Sequence, residues 1–121
     1  MKKRVLIIDD SESIRELVGN ALENAGYEVI KGVDGKDGVL KLEESNICII
    51  ISDLNMPKMD GIEVIKHVRK HPVYKYTPII VLTTESMEAK RIEAKNAGAT
   101  GWMIKPFETS NLITTIKKVI R

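Results

Sequence analysis

Three aspartates, a pair of threonines and one lysine occupy matching places in this chain, each directly beyond a short apolar run. Val5–Ile8 leads into Asp9 and Asp10, and Ile47–Ile51 into Ser52 and Asp53. Ile79–Leu82 leads into Thr83 and Thr84, and Gly101–Ile104 into Lys105 and Pro106. Brought to one place, these groups are three carboxylates, a hydroxyl and an amine. Three carboxylates in a small cleft repel, and at least one takes up a proton unless cations intervene. Lys105 supplies one positive charge. A hard divalent cation with oxygen ligands is the natural second, and magnesium suits a site offering one or two carboxylates and a phosphate oxygen. A carboxylate is also a nucleophile able to form an aspartyl-phosphate. Asp53 stands alone after the middle run and is the best candidate for that role. Phosphoryl transfer asks a protein mainly for positioning and charge neutralisation, which these few residues can supply.

What must bring them together is an alternation of strands and helices. The four runs above and a fifth at Tyr27–Ile30 are mostly continuous rather than alternating, as expected of strands covered on both faces. Between them the spacing turns helical. Ile14, Leu17, Val18, Ala21, Leu22 and Ala25 form one stripe of an amphipathic helix, with Ser13 and Glu16 as a predicted capping box and Gly26 as the stop. Val39 and Leu42 mark a second helix after Asp34-Gly35. Ile62, Ile65 and Val68 mark a third, ended by His71-Pro72. The segment Met87–Ala97, closed by Gly98, is the most polar of the set, as of a helix that is marginal or partly reserved for a partner. The last helix carries Leu112, Ile113, Ile116, Val119 and Ile120 on one side, and Lys117, Lys118 and Arg121 complement its C-terminal dipole. Five strands alternating with five helices predict an α/β fold, a parallel sheet with helices on both faces. Ligands of such sheets bind beyond the carboxyl ends of the strands, where strand order reverses. Asp9, Asp10, Asp53, Thr83 and Lys105 all fall on that edge.

Composition narrows the functional classes. The 121 residues suffice for one domain, and 43% hydrophobic with 30% charged residues excludes an intrinsically disordered chain. Lys+Arg 19 against Asp+Glu 17 leaves +2, too balanced to predict binding to nucleic acid or to a membrane surface. No apolar run approaches the ~20 residues of a membrane span. The basic Met1-Lys2-Lys3-Arg4 precedes only four apolar residues, too few for a secretory signal, so a cytoplasmic location is expected. One cysteine, Cys48, rules out an internal disulfide and reads as a small core hydrophobe. His67 and His71 stand four apart, but the proline after His71 frays the turn, which favours an exposed pair over a metal site.

The set Asp9-Asp10, Asp53, Thr83-Thr84 and Lys105-Pro106-Phe107 resembles the receiver domain of bacterial two-component response regulators, as does the stretch Asp53-Leu54-Asn55-Met56-Pro57-Lys58-Met59-Asp60-Gly61. The match runs from the first strand to the last helix. It implies a flavodoxin-like doubly wound (βα)5 fold with a five-stranded parallel sheet in the order 2-1-3-4-5, filling residues 1–121 as one receiver domain with no output domain. That strand order is carried over from the family, whose chemotaxis members have it, and is not read from the spacing of the runs. The resemblance also implies roles. Asp53 accepts the phosphoryl group. Asp10 and Asp53 ligate magnesium with help from Asp9 and the backbone carbonyl of Asn55. Thr83 moves to hydrogen-bond the phosphoryl group, and Lys105 pairs with it across a cis bond to Pro106. Trp102 takes the switch-aromatic position, where Tyr or Phe is commoner. Thr84 replaces a usually small residue beside Asp53, and Asn55 and Glu85 match positions that modulate the lifetime of the phosphorylated state.

Read this way, the protein catalyses only its own phosphorylation and dephosphorylation. The donor is a sensor histidine kinase or phosphotransfer protein. The output is contact with a protein target through helix four, strand five and helix five. Leu82-Thr83-Thr84-Glu85-Ser86 looks like the chemotaxis subgroup, which makes a flagellar motor switch protein the expected target and a monomer the expected state. A phosphorelay intermediate is the nearest alternative. A small magnesium phosphohydrolase usually carries a second acid two residues after its nucleophile, where this chain has Asn55. A flavin carrier needs hydroxyl-rich phosphate contacts where Asp9-Asp10 stand.

Overall fold

The computed structural model describes residues 3–44 and 46–120; Arg121, expected to complement the last helix, lies outside them. Five strands, β1 (Arg4–Ile8), β2 (Glu28–Gly32), β3 (Ile47–Ser52), β4 (Ile79–Thr83) and β5 (Gly101–Ile104), alternate with α1 (Glu12–Asn24), α2 (Gly35–Leu40), α3 (Gly61–Lys70), α4 (Glu88–Ala97) and α5 (Thr109–Val119). A 3₁₀ turn at Lys41–Glu43 extends α2. All pairings are parallel and the order is β2-β1-β3-β4-β5. The chain therefore leaves β1 in one direction to β2 and returns past it to β3, so the order reverses between β1 and β3. That is the crevice where a doubly wound sheet binds its ligands.

Each central strand is buried twice over. Val5, Ile7, Ile49, Ile51, Ile80 and Leu82 face a core closed by α1 and α5. Leu6, Ile8, Ile50, Ile79 and Val81 face a second core closed by α2, α3 and α4. The continuous apolar runs follow from this two-sided burial. Cys48 packs against the core closed by α1 and α5 but is only half-buried there. The β1–β3 register passes from Arg4↔Ile47 to Val5↔Ile49 and skips it. The half-buried thiol donates to the Arg4 carbonyl instead, at 3.1 Å.

The starts of α1, α2 and α3 are set by short polar side chains. The predicted capping box at Ser13 and Glu16 does not form, because Ser13 already lies within α1. Ser11, in extended conformation, caps the helix by accepting from the Ile14 N–H. Asp34 and Asp60 cap α2 and α3 in the same way. The helix after β4 buries only Ala94 and has no side-chain cap at Met87.

The N-terminal rim of the sheet is tied by side chains reaching main-chain carbonyls. Arg69 makes four hydrogen bonds, to Gly98 O (3.1 and 2.7 Å), Thr77 O (2.7 Å) and Lys75 O (3.1 Å). The Tyr74 hydroxyl donates to Glu44 O, and Arg4 pairs with Glu28 and Glu44. Gly98, at φ 119°, ends α4 in the left-handed region, and a Cβ there would lie 2.7 Å from Arg69 Nε. No helix among the described residues is long and apolar enough to cross a membrane.

Candidate functional site

The opposite rim carries the chemistry. Asp9 follows β1 directly, and its amide donates to Gly32 O on the neighbouring strand, while Asp53 N donates to Ile8 O. These two bonds fasten the tips of β2, β1 and β3 side by side. On the other flank Lys105 N donates to Thr83 O, which brings the end of β5 up to β4. The four strand ends thus meet on one edge, as their sequence positions predict.

Lys105 Nζ lies 2.7 Å from Asp9 Oδ2 and 3.3 Å from Asp53 Oδ2, bridging two buried carboxylates with one ammonium. Asp53 Oδ1 also accepts from Leu54 N at 2.7 Å. Asp9 is only 2% exposed, and its Oδ1 accepts from Ser11 N. Burial pushes the Asp9 carboxyl above its ordinary value, with the Lys105 hydrogen bond acting against that rise. Asp10 is exposed, and among the described residues its carboxylate makes no hydrogen bond or ion pair. One oxygen from each of Asp9, Asp10 and Asp53 lies within 4.8 Å of the other two. An all-oxygen set with one open member fits a hard cation such as magnesium, which retains waters.

Around this cluster, Thr83 Oγ1 is fully buried and accepts from Glu85 N at 3.1 Å. Thr84 is exposed and Glu85 half-buried. Asn55 is exposed on the loop after β3. That loop folds tightly behind Asp53: Gly61 N donates to Leu54 O, and a Cβ on Gly61 would sit 2.4 Å from Asp53 O. The Lys105–Pro106 peptide is cis. Trp102 stands apart, half-buried against the core under α3 and α4 and lining a groove between α4 and β5. His67 and His71 form no three-residue metal cluster among the described residues, and His71 Nδ1 accepts from Val73 N and Tyr74 N. Sequence reasoning missed Arg15, whose Nη1 donates to Asp9 O at 2.6 Å. The only signal was its place in α1, five residues after Asp10.

An acidic cluster open to a hard cation, with Lys105 beside it, thus sits at the switch-point edge of a 2-1-3-4-5 sheet. Residues 5–117 match the response regulator receiver domain, and the chain belongs to that family. Its members bind magnesium at an acidic pocket, are phosphorylated by histidine kinases and dephosphorylate themselves. The chain is similar to the chemotaxis protein CheY4 of Vibrio cholerae, at 45% identity and a TM-score of 0.94 over 99% of this chain and 100% of that one. It is similar also to a CheY-like receiver domain protein of Methanospirillum hungatei JF-1, at 28% identity and a TM-score of 0.91 over 98% and 93% of the two chains. It is 35% identical over 121 residues to the transcriptional regulatory protein SrrA of Staphylococcus aureus, covering 100% of this chain and 49% of that protein. The chain thus spans about half the length of the curated relatives it matches.

Proposed function

We propose that Asp53 accepts a phosphoryl group from the phosphohistidine of a sensor kinase or phosphotransfer protein, and that the protein signals from the cytoplasm as a single receiver. The carrying observation is the Asp53 carboxylate, bridged by Lys105 and grouped with oxygens of Asp9 and Asp10. An Asp53 oxygen attacks phosphorus, the N–P bond of the donor breaks, and the imidazole leaves with the electron pair and takes a proton. Asp9, Asp10, Asp53 and the Asn55 carbonyl hold magnesium. When bound, it neutralises the carboxylates and the incoming phosphoryl oxygens.

Lys105 then pairs with the phosphoryl group and Thr83 turns to donate to it. Asn55, Thr84 and Glu85 sit where they influence how long the group persists. A shift from mostly inactive to mostly active needs about 5.5 kcal/mol of differential interaction. A Thr83 hydrogen bond contributes about 1 kcal/mol, and a charge pair near a surface about 4 kcal/mol before desolvation. The shift is therefore partial and is completed by the target. That target docks on α4, β5 and α5, where Trp102 is the switch aromatic. Arg91, Ile92 and Lys95 line the groove beside it.

A motor switch protein is the expected target, a reading supported by the full-length similarity to CheY4. A second reading, the receiver half of a longer transcriptional regulator, is favoured by the partial coverage of SrrA. Incubation with acetyl phosphate and magnesium, followed by intact mass, tests the chemistry. One labile phosphoryl adduct is expected, absent in Asp53→Asn and abolished by a chelator. A stable adduct on Ser or Thr contradicts the assignment. Tighter binding of the phosphorylated form to a motor switch peptide selects the first reading of the output.

A further inference from the structure

The carboxylate most open to a cation, that of Asp10, has no side-chain partner among the described residues, so its direction is set by the main chain beneath it. That main chain is held at three points. Asp9 N donates to Gly32 O at 3.2 Å, Ser11 N donates to Asp9 Oδ1 at 2.9 Å, and Arg15 Nη1 donates to Asp9 O at 2.6 Å. The third bond acts on the carbonyl of the peptide unit that joins Asp9 to Asp10. Fixing that unit's plane fixes where the Asp10 side chain departs.

A guanidinium this near an acidic cluster would ordinarily pair with a carboxylate, as its fork geometry favours. Among the described residues Arg15 makes no ion pair and its guanidinium goes to a backbone carbonyl instead. We infer that Arg15 is a positioning residue for the divalent-cation site: its hydrogen bond to Asp9 O orients the Asp9–Asp10 pair for metal binding. The inference rests on the acidic cluster being a cation site.

The two effects Arg15 can have on a dication differ in sign. Its charge repels the metal, so losing the charge alone tightens binding. Its hydrogen bond preorganises two ligands, so losing the bond weakens binding. Magnesium affinity of the whole chain, measured by calorimetry and by the amide shift of Asp10, separates them. Arg15→Met is expected to raise the dissociation constant about tenfold, the low end of what groups holding a metal's ligands contribute. Arg15→Lys, which keeps a donor near the carbonyl, is expected to recover most of that loss. Should Arg15→Met not fold, Arg15→Gln, too short to reach Asp9 O, takes its place. Unchanged or tighter binding in the shortened variant overturns the inference, as does Arg15→Lys binding as weakly as Arg15→Met. A parent protein that binds no magnesium would instead overturn the cation site itself.

Discussion

One ammonium serving two carboxylates makes Lys105 the electrostatic centre of the site, and Asp9 its more tightly bound partner. Asp9 holds its proton more firmly folded than unfolded, chiefly because it is buried. Above the ordinary value of 3.8 the unfolded chain has released a proton that the folded one retains. Stability therefore declines as pH rises from there, until the folded carboxyl has ionised too. Asp34 runs the other way. Its carboxylate accepts the Asp37 N–H and faces Lys58, so its pKa is lowered. Its contribution is present above 3.8 and lost as pH falls through the lower, folded value. Denaturant titrations across this range are expected to show the declining limb removed in Asp9→Asn and the acid-side loss removed in Asp34→Asn. Lys105→Met is expected to extend the Asp9 limb to higher pH. The aspartates, Thr83 and Lys105 stood out in the sequence because each follows an apolar run. Arg15 and Arg69 did not, because both act on main-chain carbonyls, and no spacing of residue types reveals which carbonyl lies within reach.

Among the helices, α4 is the least embedded. It buries one alanine, starts without a side-chain cap, and is held at its far end through Gly98 by Arg69. Hydrogen exchange is expected to be fastest in its first turn and slower toward Ala97. Met87→Asp supplies the missing cap and is expected to add about 1 kcal/mol to stability and to slow that first turn. A variant with unaltered exchange would mean the start of α4 is already held by other means. The polar composition of Met87–Ala97 announced this weakness, and the alternation of five strands with five helical segments was readable, the strands from continuous apolar runs and the helices from spacing. Cap position was not. Ser11 and Ser13 are equally good caps as residue types, and only the extended backbone at Ser11 decides between them. The shortness of α2 was equally hidden, since Val39 and Leu42 fit an α-helix or the 3₁₀ turn that follows it.

Across the described residues, the parallel sheet gathers the reactive groups at one rim and leaves the ties made by Arg69, Tyr74 and Arg4 at the other. Arg69→Met, which leaves three carbonyls short of a partner, is expected to cost about 2 kcal/mol, read as a lowered denaturation midpoint. Its labelling by acetyl phosphate should match the parent. Asp53→Asn is expected to show the reverse pattern. Strand direction explains why so much of the site was visible beforehand: once the runs are taken as parallel, their carboxyl ends must gather. The groups gathering at the amino ends carry no comparable signature, because they act through geometry rather than reactivity. Arg69 and Tyr74, at the remote end, thus act without touching the carboxylate cluster. Durability can be altered there while the geometry of the acidic cluster stays in place.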